Sequence, residues 1–101
     1  MKVVINTCYG GFSISEEAFK LLNLKWTGYG IIYNKTFDIY SKNDYEYRTY
    51  PPLVKIVEEL GERANGKVAK LKIVEIPDNV DWYIDDDYGV ESINEYHRSW
   101  S

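Results

Sequence analysis

The chain has 101 residues, 45% of them hydrophobic, which suits one domain with one core and is too short for two. Its formal charge of −4, from 16 acids against 12 bases, argues against a sequence-independent grip on nucleic acid, which needs a basic face. A single cysteine, Cys8, excludes an intrachain disulfide and fits a reducing compartment. With an opening apolar run, Val3-Val4-Ile5, too short for a signal peptide or a membrane span, a cytosolic location is expected.

Lys2 to Thr7 reads as a strand. Its three contiguous β-branched residues suit a central strand covered on both faces. Tyr9-Gly10-Gly11-Phe12 breaks it, since adjacent glycines allow positive φ and close backbone approach. Ser13-Ile14-Ser15-Glu16 has capping-box spacing, with Ser13 as the expected N-cap of a helix ending near Asn23. Ile14, Ala18, Leu21 and Leu22 lie on one face of that helix.

Between residues 24 and 50, Gly30 to Tyr33 and Phe37 to Tyr40 read as short strands, and Asp44 to Tyr50 as a strand or an ordered loop. Pro51-Pro52 opens a second helix striped by Leu53, Val54, Val57, Leu60 and Ala64 and closed at Asn65-Gly66. Lys70 to Ile76 is a strand whose apolar parity slips between Ile73 and Val74, pointing to burial on both faces or to a bulge. Asp81 to Asp85 is another strand, Asp86-Asp87-Tyr88-Gly89 a turn, and Val90 to His97 a short helix. The expected class is α+β: a mixed sheet of about four to five strands, two helices packed on one face and a short C-terminal helix.

Four segments carry residues with chemical potential. Cys8 to Ser13 joins a strand to a helix, where backbone N–H groups can hold an anion. It is neither a P-loop nor a dinucleotide fingerprint, and a tight turn is the simpler reading. Cys8 has one conceivable base, His97, but a lone cysteine is more often a small buried hydrophobe. Asp85-Asp86-Asp87 with Glu91 offers carboxylates for a divalent cation, without the EF-hand spacing; a solvated turn is the simpler reading. At the C-terminus, His97, Arg98 and Trp100 can meet an anionic, planar ligand, or Trp100 can anchor the tail in the core. Arg48, just before Tyr50-Pro51-Pro52, marks a second anion-friendly position.

Tyr9-Gly10-Gly11-Phe12-Ser13, Arg48-x-x-Pro51-x-Leu53-Val54, Val57-Glu58-Glu59-Leu60-Gly61, Lys72 to Pro77 and Glu95-x-His97-Arg98-x-Trp100 together resemble a group of small phage and prophage proteins. The resemblance spans most of the chain apart from its Tyr-rich middle. It implies a context, a short viral protein in the cytoplasm of a bacterial host, and no activity of its own. Small phage proteins of this kind often blunt host defence. The resulting expectation is a non-catalytic, homo-oligomeric protein, without cofactor or metal, that sequesters a nucleotide-derived immune signal. Tyr9, Gly10, Gly11 and Phe12 would shape its pocket, Arg48 and Arg98 would meet phosphate, and His97 and Trp100 would meet ribose and base. The alternatives are an acidic inhibitor that imitates nucleic acid toward a host nuclease, and a small metal-dependent hydrolase using Asp85, Asp86, Asp87 and His97.

Overall fold

A computed structural model describes residues 1–95 of the chain. Strand β1, Lys2–Asn6, pairs antiparallel with β2, Leu71–Glu75, placing Val3 opposite Val74 and Val4 opposite Ile73. Ile76 N donates to Met1 O and Thr7 N to Lys70 O, each at 2.8 Å, so the ladder runs one residue past each end of β1. Alternation of side chains then divides the apolar residues between two faces. Val4, Leu71 and Ile73 join the helices in one core cluster; Val3, Ile5, Val74 and Ile76 join a second hairpin in another. The expectation that β1 is covered on both faces holds. The parity slip at Ile73-Val74 is burial on both sides of an unbroken register, not a bulge.

Helix α1 spans Glu16–Leu21, shorter than expected, and its N-cap is Ser15 rather than Ser13. Ser15 Oγ accepts from Ala18 N at 3.1 Å and donates to Arg63 O at 2.6 Å. Ser13 fails as a cap because Ser13-Ile14-Ser15 lies between two other backbone segments. Ile14 N donates to Gly30 O, Ser15 N to Ala64 O, and Gly66 N to Ser13 O. Those three bonds, with Ile14 fully buried, outweigh one more helical turn. The approach is close: a Cβ on Gly30 would stand 1.9 Å from Ile14 O, and one on Gly66 1.9 Å from Ser13 Oγ. Leu22 follows the helix and Asn23 turns the chain with a φ of 61°.

The two short strands expected between residues 30 and 40 are absent. Instead Asn34–Phe37 and Glu46–Thr49 form single 3₁₀ turns. The first turn closes on its own short-range bonds, Thr36 N to Tyr33 O, Asp38 N to Lys35 O and Ile39 N to Asn34 O, with Tyr33 N donating to Thr36 Oγ1. The Asn34 side chain ties it to the second turn, its Oδ1 accepting from Tyr47 N at 2.7 Å and its Nδ2 donating to Asn43 O at 2.9 Å.

Helix α2 runs Pro51–Leu60 with proline in its first turn, as expected, and buries Leu53, Val54, Ile56 and Val57. Gly61, at a φ of 57°, ends it, and Gly61–Ala64 continues as a 3₁₀ turn rather than α-helix up to Asn65.

Strands β3, Trp82–Asp87, and β4, Val90–Glu95, form the second hairpin around Tyr88-Gly89. Both turn residues have positive φ, 57° and 90°, the signature of a two-residue turn matched to the twist of its strands. Of the C-terminal helix expected from Val90 to His97, Val90–Glu95 is therefore a strand, and Tyr96 and His97 lie outside the described residues. Val90 and Ile93 fit helical spacing, but in so short a run the period is ambiguous and the turn decides it. Nor is there one mixed sheet of four to five strands: β1–β2 and β3–β4 are separate antiparallel pairs. Trp82, Ile84 and Ile93 close the second hairpin over Val3 and Ile5.

Leu53 is fully buried where α2 meets Val4. Leu53→Ala is expected to lower unfolding free energy by about 2–5 kcal/mol in urea titrations followed by circular dichroism, the range for a core cavity of this kind.

Candidate functional site

Side chains far apart in sequence meet beside β1. Arg48 and Glu91 are 2% and 6% exposed and form a bidentate pair, Nη1 to Oε1 at 2.6 Å and Nη2 to Oε2 at 2.8 Å. Arg48 Nη1 also donates to Val4 O at 3.1 Å, and Asn6 N donates to Glu91 Oε1 at 2.8 Å. The Phe12 ring lies over the guanidinium, 3.7 Å from Cζ to ring centroid, with the Tyr47 and Tyr45 rings at 5.0 and 5.4 Å. Burial by itself pulls the Arg48 pKa down, but the hydrogen bonds and charge of Glu91, with a contribution from Tyr47, more than offset this, and the net direction is up.

The ladder explains what this pair does. Met1 and Thr7 bond to β2, so the odd-numbered residues of β1 face that partner, while Val4 O and Asn6 N face the other way. A parallel neighbouring strand would donate to the first and accept from the second through one residue. Arg48 and Glu91 side chains occupy those positions instead. Asn6, fully buried, completes the junction: its Nδ2 donates to Cys8 O at 2.6 Å and Gly89 O at 2.7 Å, and its Oδ1 accepts from Cys8 N at 3.3 Å and Lys70 N at 2.8 Å. All four hydrogen-bonding positions of the carboxamide are filled.

This placement changes the expected roles. The Arg48 guanidinium is neutralised by Glu91 and covered by Phe12, which leaves it no open face for a phosphate. Gly10 and Gly11, at φ values of 114° and 93°, do permit close backbone approach, and what approaches is this chain's own backbone. A Cβ on Gly89 would stand 2.4 Å from Gly11 N, and one on Gly10 would stand 2.8 Å from a Val68 methyl. Tyr9 is exposed at the tip of the turn. His97, Arg98 and Trp100 lie outside the described residues.

Gly10 and Phe12 do line a groove of about 620 Å³, together with Ser13 and Gly66. Trp26, Tyr29 and Ile31 line it from one segment; Lys67 and Val68 line it from another. Trp26 is braced edge-on by Phe19, ring centroids 5.2 Å apart, whereas Tyr29 is 70% exposed, Ile31 50% and Val68 51%. Lys67 is the cation of the lining, and Glu16, paired with Lys20 at 3.1 Å, is its carboxylate. Sequence reasoning passed over Trp26, Tyr29, Ile31, Lys67 and Val68. The available signal was the set Gly28, Gly30 and Gly66 beside exposed aromatics, a pattern that reads as turns until Gly30 and Gly66 are seen pressed on Ser13 and Ile14. A second cleft, of about 690 Å³, lies between residues 41–46 and 80–83. Its lining includes Asp44, Glu46 and Asp81 against one lysine, Lys42, a balance that disfavours anions.

Asp85 and Asp87 fall on the opposite face of β3 from Asp86 by strand alternation, and Asp86 Oδ1 accepts from Gly89 N at 2.7 Å. Glu91 is bound to Arg48. Among the described residues, no three His, Cys, Asp or Glu side chains converge as a metal site would require. No helix among them is long and apolar enough to cross a membrane. Comparison with protein-family models, curated proteins and solved structures finds no match to the chain.

Glu91→Leu strands a buried guanidinium and is expected to cost about 3–5 kcal/mol in urea unfolding, with Arg48→Met/Glu91→Leu costing clearly less than the two single changes together. Burial raises the Tyr47 pKa above 10.0 against the opposing charge of Arg48. The unfolded chain therefore ionises at this residue first, and its contribution to stability is lost as pH rises through 10 toward the folded value. Urea midpoints measured on either side of pH 10 are expected to fall more steeply for the wild type than for Tyr47→Phe.

Proposed function

We propose that the chain is a non-catalytic binding protein that takes a nucleotide-derived molecule into the groove between Trp26–Ile31 and Gly66–Val68. The observation that carries this reading is a groove of ligand size lined by Trp26 and by the exposed Tyr29, Ile31 and Val68. A base stacking on such a wall gains about 1–3 kcal/mol. Lys67, for which no ion pair is seen among the described residues, supplies a charge for phosphate.

The resemblance to small phage proteins supplies the biological half of the proposal. The ligand is then an immune signalling nucleotide of the bacterial host, held intact and so removed from its receptor, and the protein acts in the host cytoplasm as a homo-oligomer. Holding requires no bond to be made or broken.

A second reading rests on a separate observation. Glu75, Asp78, Asp81, Asp85, Asp86, Asp87 and Glu95 are exposed on or next to β2, β3 and β4, an acidic surface suited to imitating nucleic acid toward a nuclease. Glu91 does not contribute to it, because Arg48 holds it inside.

Titration calorimetry with adenine and guanine mononucleotides and cyclic dinucleotides separates the two. Saturable binding is expected, with mass spectrometry recovering the nucleotide unchanged after heat release. Lys67→Ala should weaken binding about tenfold, the loss of one charge-assisted contact. Asp85→Asn/Asp86→Asn/Asp87→Asn should leave it intact. Absence of binding to every nucleotide tested contradicts the proposal, and nuclease inhibition abolished by the triple change favours the acidic mimic.

A further inference from the structure

The groove opens on a surface that is itself incompletely buried. Val68 packs on Gly10, and Gly10-Gly11 packs on Gly89, so the 67–68 segment, the first glycine turn and the Tyr88-Gly89 turn are contiguous. Exposed side chains flank this run: Tyr9 at 72%, Tyr88 at 84% and Val68 at 51%, with Tyr29 at 70% and Ile31 at 50% lining the same groove as Val68. Packing inside the chain explains the glycines. It does not explain three tyrosines held out in solvent around them.

The geometry points to this surface as an isologous interface between two copies of the chain, with the partner's tyrosines closing each groove. Two observations select a second copy as the occupant. The first is area. At about 150–250 Å² for a whole tyrosine, the exposed parts of these five side chains offer roughly 600 Å², and the backbone between them brings this close to the about 800 Å² that each partner gives to a standard interface. The second is self-complementarity. A two-fold interface sets a surface against itself, so like charges at its centre are costly, and here the centre is tyrosine, valine and glycine. Tyrosine can stack on tyrosine, and its hydroxyl both donates and accepts.

This inference uses the binding reading in one respect, that the groove opens on the paired face, and it is tested without nucleotide so that each stands or falls separately. The informative variants are Tyr88→Asn and Tyr9→Ser. Tyr88 has a φ of 57°, a conformation that asparagine adopts more readily than tyrosine, so Tyr88→Asn removes the ring while favouring the turn. Sedimentation equilibrium of the full chain across the micromolar range is expected to show a dimer. Each variant should keep the wild-type circular dichroism spectrum and self-associate at least about tenfold more weakly, as for loss of an anchoring interface side chain. A monomeric wild type overturns the inference and leaves the face to a ligand or a different protein. A dimer that both folded variants retain overturns it equally, because the contact then lies elsewhere.

Discussion

The architecture depends on one buried ion pair standing where a strand would stand. β1 has a hydrogen-bonded neighbour on one edge only, and a second hairpin that packs on its face without joining its sheet. An open edge buried between a helical layer and that hairpin would leave Val4 O and Asn6 N unpaired, at about 1–3 kcal/mol each. Arg48 and Glu91 remove that cost together. Each neutralises the other, and each satisfies one backbone group of β1. Because Glu91 belongs to β4, the same contact fixes where the second hairpin sits. A purely apolar pair of equal volume would fill the space but would leave the edge of β1 unsatisfied, which distinguishes this junction from ion pairs that hydrophobic residues can replace.

The same junction positions the groove. Asn6 connects Cys8, Lys70 and Gly89 through one carboxamide, and so ties the start of the glycine turn, the entry to β2 and the hairpin turn to the end of β1. Phe12, which covers the Arg48 guanidinium, also borders the groove. The glycines follow from this crowding. Gly30 and Gly66 allow the extended Ser13-Ile14-Ser15 segment to bond on both sides, and Gly89 lets one turn rest on another. The groove lies beside that packed backbone, bordered by Phe12 and Trp26 at the edge of the helical core cluster and by the exposed Tyr29, Ile31 and Val68.

Much of the local structure was legible. The β-branched run of β1, the Pro51-Pro52 start of α2 and the turn at Tyr88-Gly89 each carry their conformation in two or three residues. The failures have a common cause in contacts distant along the chain. Ser13-Ile14-Ser15-Glu16 satisfies the spacing for a cap at Ser13, and only the backbone of Gly30, Ala64 and Gly66 shifts the cap to Ser15. Val90 and Ile93 fit a helix until the register Ile84–Ile93 is known. Between 30 and 40 the chain turns on its own short-range bonds, and the Asn34 side chain ties that turn to backbone groups nine and thirteen residues away. Arg48 was recognised as a residue of consequence, and its partner lies 43 positions on, in a segment whose acids all looked solvated. No periodicity encodes such a pairing. The groove was half visible for the same reason: Gly10 and Phe12 lie in a motif, whereas Trp26, Tyr29 and Lys67 meet them only through the fold.

Amide hydrogen exchange at Asn6 tests the central claim most directly. Its N–H lies on the side of β1 that faces away from β2, so in a sheet of only two strands it would ordinarily exchange quickly. If Glu91 takes the place of a strand, Asn6 exchanges only through global unfolding, at rates that match those of Val3 and Ile5. Exchange at Asn6 as fast as that of Ile73, whose N–H faces outward from the far edge of β2, would show that the ion pair does not close the sheet.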